Sequence, residues 1–429
     1  MSNQKRESQK NLLRRIGYTI GILLIYDLLS YVLIPGVDPR QLAKLASIPA
    51  LAMISTFSGG GFQNLSLMSM GVGAYISAQI IVQLLQTGVV PKLTEWSKQG
   101  KIGRHKLTQL TRYLTVILGF VQAIGIVASL NSLLQFGIVI VDSWWNYLVI
   151  GIVLTAGSFI AMWLADQITD KGLGNGISVI ITAGIIKKLP DNIQQVYDSL
   201  STTAGTNWGP LIILIVVTAM MAVFIVWYNR CEYRLPIQYS RRENKTSNDS
   251  YLPLKLIVPG VVPIIFASSL LSIPQLIMMF FDSKDTAYIS SVVNKIFSLS
   301  SSVGVTLYGV LIVLFTYLYS IVQVDPERLA DNLTKQDAYI PGIWPGDDTA
   351  IYIKKRLYDL ALPGAAFLSL ISIVPLFISN SISPNLQLGL TGSNLLIIVG
   401  TLSDIGRQIE GLKLKEGYYD FLSENYAFE

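Results

Sequence analysis

The sequence predicts an all-α polytopic membrane protein in which ten transmembrane helices form two inverted-repeat halves of five helices each. The first observation is composition: of 429 residues, 51% are hydrophobic and only 14% are charged, whereas a soluble domain is nearer a quarter charged. The second is that the apolar residues come in blocks of about 18 to 20, the length of helix that crosses a bilayer core. The third is a short string that occurs once in each half.

Ten apolar blocks mark the predicted spans in chain order. The first block follows a basic N-terminus, but it is too long for a signal-peptide core and lacks a small-x-small cleavage site, so we expect it to be retained. The first five spans make an N-terminal half, 1–190, and the last five a C-terminal half, 191–429, with two large cytoplasmic loops and a cytoplasmic tail. The spans lie near 16–34, 71–90, 114–130, 146–165, 174–186, 209–228, 256–280, 303–323, 360–379 and 388–403.

Lysine and arginine are distributed unevenly between the two sides of the predicted membrane. Of the 32 basic residues, 26 lie in segments on the side of the two termini, 6 lie in the opposite loops, and none lies within a span. Because cytoplasmic loops carry the excess of basic residues, both termini are predicted to be cytoplasmic. The net charge of +5 follows from this topology and requires no nucleic-acid partner, although exposed basic loops could contact ribosomal RNA.

The string that recurs in the two halves opens spans two and seven. It reads "GVGAYISAQIIVQLL" from Gly71 and "GVVPIIFASSLLSIP" from Gly260. Both copies open Gly-Val, place Ile five residues after the Gly and place Ala seven residues after it. The loops that precede the two spans lie on opposite sides of the membrane, so the halves are predicted to be related by an axis in the membrane plane. The matching residues are Ile76 and Ala78 in the first copy, and Ile265 and Ala267 in the second.

Two features inside the spans leave alternatives open. Gly172, Gly174 and Gly176 lead into the fifth span, where they would let the backbone approach either a neighbouring helix or a lumen. Asp27 is the one acid well inside a span, and no span carries a basic residue. An isolated acid is poor support for a proton path, so we expect it to lie beside a water-filled cavity or to pair with another subunit.

The loop 35–70 is too apolar for a free external loop, and too short and glycine-broken for two further spans. A re-entrant segment fits, provided that it is buried in protein or lines a cavity. The alternative is an amphipathic helix on the outer surface. Gly59, Gly60 and Gly61 would form a hinge just before span two, which favours the re-entrant segment.

The sequence offers little for catalysis. One cysteine, Cys231, and one histidine, His105, exclude an internal disulfide and any site built from several cysteines or histidines. No nucleotide-binding string of the GxxxxGK[ST] kind is present. We therefore expect no catalytic residue, metal site or cofactor. Two alternative functions lack the residues they need. An intramembrane hydrolase would need a histidine or paired aspartates in the spans. A secondary transporter with inverted repeats suits ten spans, but it would need a polar site at the membrane midplane.

Seven strings spread over essentially the whole chain carry a resemblance to a known family: "FSGGGFQNLSLMSMGVGAYISAQIIVQLL", "LTQLTRYLTVILGFVQAIGI", "DQITDKGLGNGISVIITAGI", "RLPIQYSRR", "LPLKLIVPGVVPIIFASSLL", "DPERLADNLTKQDAYIPGIWPGDDTAIYI" and "TGSNLLIIVG". They resemble the SecY family, the central subunits of bacterial protein translocases. The resemblance implies an hourglass channel between two five-helix halves, with an apolar ring at the waist that excludes ions by dewetting and widens around an extended chain.

The resemblance also assigns residues to three parts of this channel. The pore ring falls on Val72, Ile76, Ile181, Ile185, Ile265 and Ile397. The plug, which fills the external funnel at rest, falls on 55–66, beginning with Ser55, Thr56, Phe57, Ser58, Gly59, Gly60, Gly61 and Phe62. Spans two and seven form a lateral gate, where Ser77, Gln122 and Ser268 could supply polar contacts. Taken singly, the isoleucines would be ordinary span residues, but the coincidence of Ile76 and Ile265 in the repeat favours the ring.

In the SecY family, the loop 324–359 docks a SecA motor or the ribosome, and its usual string resembles Pro-Gly-Ile-Arg-Pro-Gly. This chain has Trp344 at the arginine position, which removes a fixed charge and five hydrogen-bond donors. The preceding cytoplasmic loop departs from the usual pattern as well, and Asp27 stands where many members carry arginine. Two interpretations are therefore left open. The chain is either a divergent or accessory copy that works with its own motor, or a housekeeping copy whose sequence has drifted. The docking residues would be Arg241, Arg242, Pro341, Gly342, Ile343, Trp344, Pro345 and Gly346.

The expected partners follow from the resemblance. They are a SecE-like subunit that clamps the two halves, a SecG-like subunit, and either a SecA-type ATPase or the ribosome as the source of energy. The substrates would be unfolded preproteins, which cross the bacterial plasma membrane or leave sideways into lipid.

Overall fold

The computed structural model describes residues 3–36, 65–86, 90–134, 143–201, 209–239, 251–256, 260–280, 287–299, 301–382 and 392–426. Within these residues there are thirteen helices and four short strands. The helices are α1 Asn3–Leu29, α2 Gly73–Leu84, α3 Pro91–Lys98, α4 Gly100–Leu134, α5 Trp144–Lys171, α6 Gly176–Ser201, α7 Gly209–Asn229, α8 Val262–Phe280, α9 Ala287–Phe297, α10 Ser302–Gln323, α11 Pro326–Lys335, α12 Asp347–Ile382 and α13 Gly392–Tyr426. The strands are β1 Glu232–Pro236, β2 Gln238–Tyr239, β3 Tyr251–Lys255 and β4 Ala338–Tyr339.

Each predicted span overlaps one helix: α1, α2, α4 to α8, α10, α12 or α13. Among the described residues, four helices are long and apolar enough to cross a membrane: Ile102–Ala128, Trp144–Lys171, Ser302–Ser320 and Asp347–Phe377. Shorter apolar helices occur at Gly73–Leu84, Val216–Asn229 and Val262–Leu271. The all-α membrane fold is therefore confirmed. The helix ends differ from the span ends because hydropathy marks the bilayer core, whereas helices such as α6 and α13 continue into polar sequence.

The chain divides into two compact units. The first comprises Met1–Asp198, Ser272–Asn294 and Ile397–Glu429, and the second comprises Ser199–Leu271 and Lys295–Leu396. In the first unit, α2 and α5 each pack against α4, α1 packs against α5, and α3 packs against α4. In the second unit, α10 and α11 pack against α12, and β1 pairs with β3. The division into halves at residue 190 remains a proposal.

The glycine-rich turn before α6 is packed against its own unit. A methyl group at Gly176 would overlap the carbonyl group of Ala165 in α5, and one at Gly172 would lie 2.5 Å from the hydroxyl oxygen of Thr19 in α1. The N–H of Gly176 donates to the Thr169 hydroxyl at 2.9 Å. Gly174 has a φ of +80°, a conformation that favours glycine. Of the two interpretations that the sequence left open, close helix packing therefore accounts for Gly172 and Gly176.

We predict that Gly176→Ala destabilises the protein by about 1 to 3 kcal/mol, because the added methyl group meets backbone that has no room to move. The measurement is the midpoint of thermal unfolding of the purified protein in detergent. Gly406→Ala in α13 is the control, since a methyl group there has no neighbour within 4 Å. Equal losses in both variants would show that close packing at Gly176 is not the cause.

The structure corrects the expectation that Asp27 is isolated. Its carboxylate forms an ion pair with Lys187, which lies just beyond the predicted end of span five, in α6. The Lys187 ammonium also lies 4.4 Å from the centroid of the Tyr31 ring. The acid therefore finds its counter-charge within the first unit, and neither a cavity nor another subunit is needed to account for it.

Candidate functional site

Five of the six candidate ring residues belong to the first unit, and all five are buried. Val72 and Ile181 are fully inaccessible, while Ile76, Ile185 and Ile397 are at most 4% exposed. Ile181 and Ile185 are one turn apart and so share a face of α6. Val72 immediately precedes α2, and its carbonyl oxygen accepts from the N–H of Ile76 at 3.0 Å, which places the two residues in one turn.

Two buried threonines join α6 to α13 beside these residues. The hydroxyl of Thr182 donates to that of Thr401 at 3.0 Å, and the Thr401 hydroxyl donates to the carbonyl oxygen of Ile397 at 2.7 Å. Thr182 follows Ile181 directly, and Thr401 lies one turn after Ile397. This pair therefore brings α6 and α13 together where each carries a candidate ring residue. Sequence reasoning did not single out either threonine.

The chain enters α2 through a run of tight turns over 65–72. Ser66 forms an isolated bridge with Leu33, and the N–H of Leu67 donates to the carbonyl oxygen of Val32 at 2.8 Å. Gly157 in α5 makes room for this run, because a methyl group there would overlap the Leu67 carbonyl. The proposed plug lies almost wholly outside the described residues: of 55–66, the structure describes residues 65 and 66.

The two copies of the repeated string share a backbone conformation. Gly71 has a φ of +49° and Gly260 a φ of +60°, and in each copy the helix begins two residues later. In each copy the isoleucine N–H donates to the carbonyl oxygen of the valine four residues before it, at 3.0 Å in the first copy and 3.4 Å in the second. The alanines at the matching positions are both fully buried, and Ile265 is 8% exposed. The sequence match thus extends to turn, helix start and burial.

Two of the three candidate gate residues, Ser77 and Ser268, make hydrogen bonds within their own helices. The Ser77 hydroxyl donates to the Gly73 carbonyl oxygen at 3.2 Å, and the Ser268 hydroxyl donates to the Ile265 carbonyl oxygen at 2.9 Å. Gln122 is half-buried on α4, which packs against α2. Each serine hydroxyl therefore has an acceptor within its own helix.

The two large polar loops of the second unit form one module. Strand β2 from the first loop pairs with β4 from the second, and the Tyr339 hydroxyl donates to Gln238 at 3.0 Å. A small apolar core beneath them contains Ile237, Leu333, Ala338, Ile340, Ile353 and Leu357. Nothing local in the sequence predicts strands of two residues, so the pairing of the two loops could not be predicted from it. Arg241 and Arg242 lie outside the described residues.

Residues 341–346 form two consecutive turns on this module. Gly342 and Gly346 have φ values of +84° and +105°, and the N–H of Ile343 donates to the Ile340 carbonyl oxygen at 3.1 Å. The side chain of Ile343 packs against the module core, whereas that of Trp344 is 80% exposed. The buried hydroxyl of Thr349 donates to the Trp344 carbonyl oxygen at 2.8 Å. The turn is therefore anchored on one side and presents the indole on the other.

One ion pair that the sequence analysis missed links α4 to α5. The Nη2 atom of Arg112 lies 2.6 Å from the Oδ2 atom of Asp166. Both residues belong to segments predicted to be cytoplasmic, and this shared side of the membrane was the only sign in the sequence that they could pair. Within the described part of the chain, no group of three or more His, Cys, Asp or Glu residues could hold a metal ion.

A scan against protein-family models matches the SecY model to residues 66–405. Among curated proteins, the chain is 52% identical to the protein translocase subunit SecY 2 of Lactobacillus kefiranofaciens subsp. kefiranofaciens, over 95% of this chain and 100% of that one. It is 43% identical to SecY 1 of the same organism, over 96% and 97%, and 38% identical to SecY of Streptococcus gordonii strain Challis, over 96% of each chain.

Solved structures agree in fold. A protein-conducting channel superposes with a TM-score of 0.71, at 17% identity, over 94% of this chain and 93% of that one. Sec61 in the canine ribosome–channel complex superposes with a TM-score of 0.63, also at 17% identity and over 94% and 93%.

Proposed function

This chain belongs to the SecY family of protein translocase channel subunits, and from that premise we propose that it passes unfolded preproteins across the bacterial plasma membrane and releases hydrophobic segments sideways into lipid. It is a channel and not an enzyme. The energy for transport then comes from a partner, either a SecA-type ATPase or the elongating ribosome.

The observation that carries the pore assignment is the conformational match between the two copies of the repeated string. Each copy has a left-handed glycine, then a helix start, then a buried isoleucine in the first turn. We propose that Ile76 and Ile265 are equivalent members of one apolar ring. Val72, Ile181, Ile185 and Ile397 complete it. Such a ring resists ions because a narrow apolar constriction loses its water.

We propose that residues 55–66 close this ring from the external side when the channel is at rest. We also propose that α2 and α8 form the lateral gate and separate when it opens. The Ser77 and Ser268 hydroxyls each donate to a carbonyl oxygen of their own helix, and these two bonds can be kept when the helices move apart.

One crosslinking experiment tests both passage of a preprotein and the plug. With Ser58→Cys and Ile397→Cys in a chain whose native Cys231 is replaced by serine, the resting channel should form an intramolecular disulfide. An arrested preprotein carrying a cysteine should abolish that disulfide and crosslink to position 397 instead. Val121→Cys is the control, because Val121 is 60% exposed on α4 and lies outside the proposed ring. A preprotein that crosslinks to position 121 as well as to 397 would contradict passage through the ring, and a resting channel with no disulfide would contradict the plug.

Partners and location are proposed from the same premise. We propose a SecE-like subunit that braces the two halves and a SecG-like subunit, with both termini in the cytoplasm. The bias of basic residues supports this orientation. The higher identity to the SecY 2 than to the SecY 1 protein of one organism supports the accessory interpretation over the housekeeping one. The exposed Trp344 in place of an arginine supports a motor of its own rather than ordinary ribosome docking.

A further inference from the structure

The hydroxyl of Thr182 in α6 bonds differently from those of other buried threonines in the described part of the chain. Five of these donate to the carbonyl oxygen four residues earlier in their own helix, at 2.6 to 2.9 Å: Thr19, Thr111, Thr115, Thr316 and Thr401. Thr182 donates instead to the hydroxyl oxygen of Thr401 in α13, at 3.0 Å. Since a threonine in a helix has a carbonyl of its own helix within reach, this bond is a specific tie between α6 and α13.

The bond lies at the level of the candidate ring. Thr182 directly follows Ile181, and the Thr401 hydroxyl donates to the carbonyl oxygen of Ile397 at 2.7 Å. Because the hydroxyl hydrogen of Thr401 is used in this way, its oxygen is left to accept from Thr182. The two threonines are 6% and 5% exposed, so water does not compete for the bond. The threonine pair therefore sets the position of Ile397 on α13 relative to Ile181 on α6.

A second hydrogen bond joins the same two segments away from the ring. The N–H of Gly174, in the turn that precedes α6, donates to the side-chain oxygen of Gln408 in α13 at 2.5 Å. Gln408 lies seven residues beyond Thr401, which is about 10 Å along the helix. The contact between α6 and α13 can therefore be altered at Gln408 without touching the ring level.

Thr182 can exchange its acceptor without losing a hydrogen bond. Ser178 lies four residues before it in α6, and a helical carbonyl oxygen has a second lone pair besides the one that accepts the backbone N–H. Rotation of the Thr182 side chain would bring its hydroxyl to that carbonyl, which is the arrangement of the other five threonines. Thr401 would keep its own bond to Ile397. The two helices can therefore move apart at this level with neither hydroxyl left unpaired.

We propose that Thr182 and Thr401 are positioning residues that hold the proposed ring closed, and that Thr182 turns to the Ser178 carbonyl when the ring widens around a preprotein. This inference rests on the proposed pore ring. One hydrogen bond between helices in a membrane is of modest strength, and here it is exchanged rather than lost. The pair therefore favours the closed ring at rest, but a preprotein can still open it.

The test is the resting conductance of the full chain in planar bilayers. Thr182→Val and Thr401→Val keep the branched shape of the side chain and remove the bond. Each should raise the conductance about threefold, the effect of one interhelical hydrogen bond on the ratio of open to closed channels. The double variant should conduct no more than either single variant, because both changes remove the same bond. Thr182→Ser keeps the hydroxyl and should stay closed.

Two controls separate this bond from a general loosening of the protein. Thr115→Val removes a hydroxyl that is buried at least as well, at 1% exposed, but that donates to the Thr111 carbonyl oxygen within α4. Gln408→Leu removes the other hydrogen bond between the α6 segment and α13. Both should conduct like the unmodified chain. A leak in either control as large as that of Thr182→Val would overturn the proposal, and so would additive leaks in the double threonine variant.

The same assay distinguishes failure of this inference from failure of the ring. If the threonine variants stay closed while a channel with Ile76→Gly and Ile265→Gly leaks, the ring stands and the threonine pair does not hold it closed. If the isoleucine variant does not leak, the ring assignment is wrong and the role of the threonine pair falls with it.

Discussion

Replacing both Ile76 and Ile265 with glycine should make the resting channel conduct ions. The reason is that each substitution removes a β-branched apolar side chain from the proposed constriction, which then admits water. We expect single-channel or bulk conductance in planar bilayers to rise by about tenfold or more, because each 1.4 kcal/mol off a barrier to passage is about a factor of ten in rate. Each single variant should have a smaller effect.

Glycine in a helix also destabilises the protein, so the double variant needs a matched control. Ile80 is 7% exposed one turn after Ile76 in α2, and Ile264 is 1% exposed beside Ile265 in α8. The double variant Ile80→Gly with Ile264→Gly loses similar burial without touching the proposed ring. If this control conducts as well as the ring variant, leak reflects loosened packing and the ring assignment is wrong. Ile76→Val with Ile265→Val should stay closed.

Trp344→Ala should weaken binding of the cognate SecA-type ATPase by about 30-fold, which corresponds to about 2 kcal/mol for an interface tryptophan. The indole is 80% exposed while its neighbour Ile343 is packed into the module, so the side chain is held outward without cover. An exposed aromatic ring fixed in this way suits an apolar contact with a partner. Because no charge is involved, binding by the unmodified chain should depend little on salt.

The assay compares binding at low and high salt for the unmodified chain, Trp344→Ala and Trp344→Arg. Ile351→Ala is the control, because Ile351 is 65% exposed on α12 just after the same turn. An unchanged affinity in Trp344→Ala would rule out the indole as the anchor and would favour its alternative position near the lipid headgroups, where tryptophans are common. Tighter and more salt-dependent binding by Trp344→Arg would indicate a drifted housekeeping channel that still meets an acidic partner surface.

The repeated string shows how far local sequence reaches into the site. Eight residues were enough to predict that Gly71 and Gly260 begin equivalent segments, and the structure gives both glycines positive φ and both following helices the same start. A left-handed glycine and the first turn of a helix are local features, so their signal lies within a few neighbouring residues. Which other side chains join Ile76 and Ile265 does not follow from those neighbours, and the ring itself stays a prediction.

Asp27 shows the limit of the same reasoning. Its partner Lys187 is 160 residues away and was counted as an external loop residue, because hydropathy ends the fifth span at 186 while α6 continues to Ser201. The ion pair joins α1 to α6 within one unit, and no pattern in either segment predicts that contact. The same holds for Thr182 and Thr401, which are 219 residues apart.

The sequence by itself determined that this chain is a helical membrane protein, where its apolar helices lie and which family it resembles. Those properties depend on the composition of neighbouring residues or on long matching strings, so they can be predicted without coordinates. Only the tertiary structure decided that two polar loops share one core, that Trp344 points outward while Ile343 points inward, and that α10 and α12 leave a groove between them. These depend on packing between segments distant in the chain, where the shape of both partners, and not the composition of either, sets the contact.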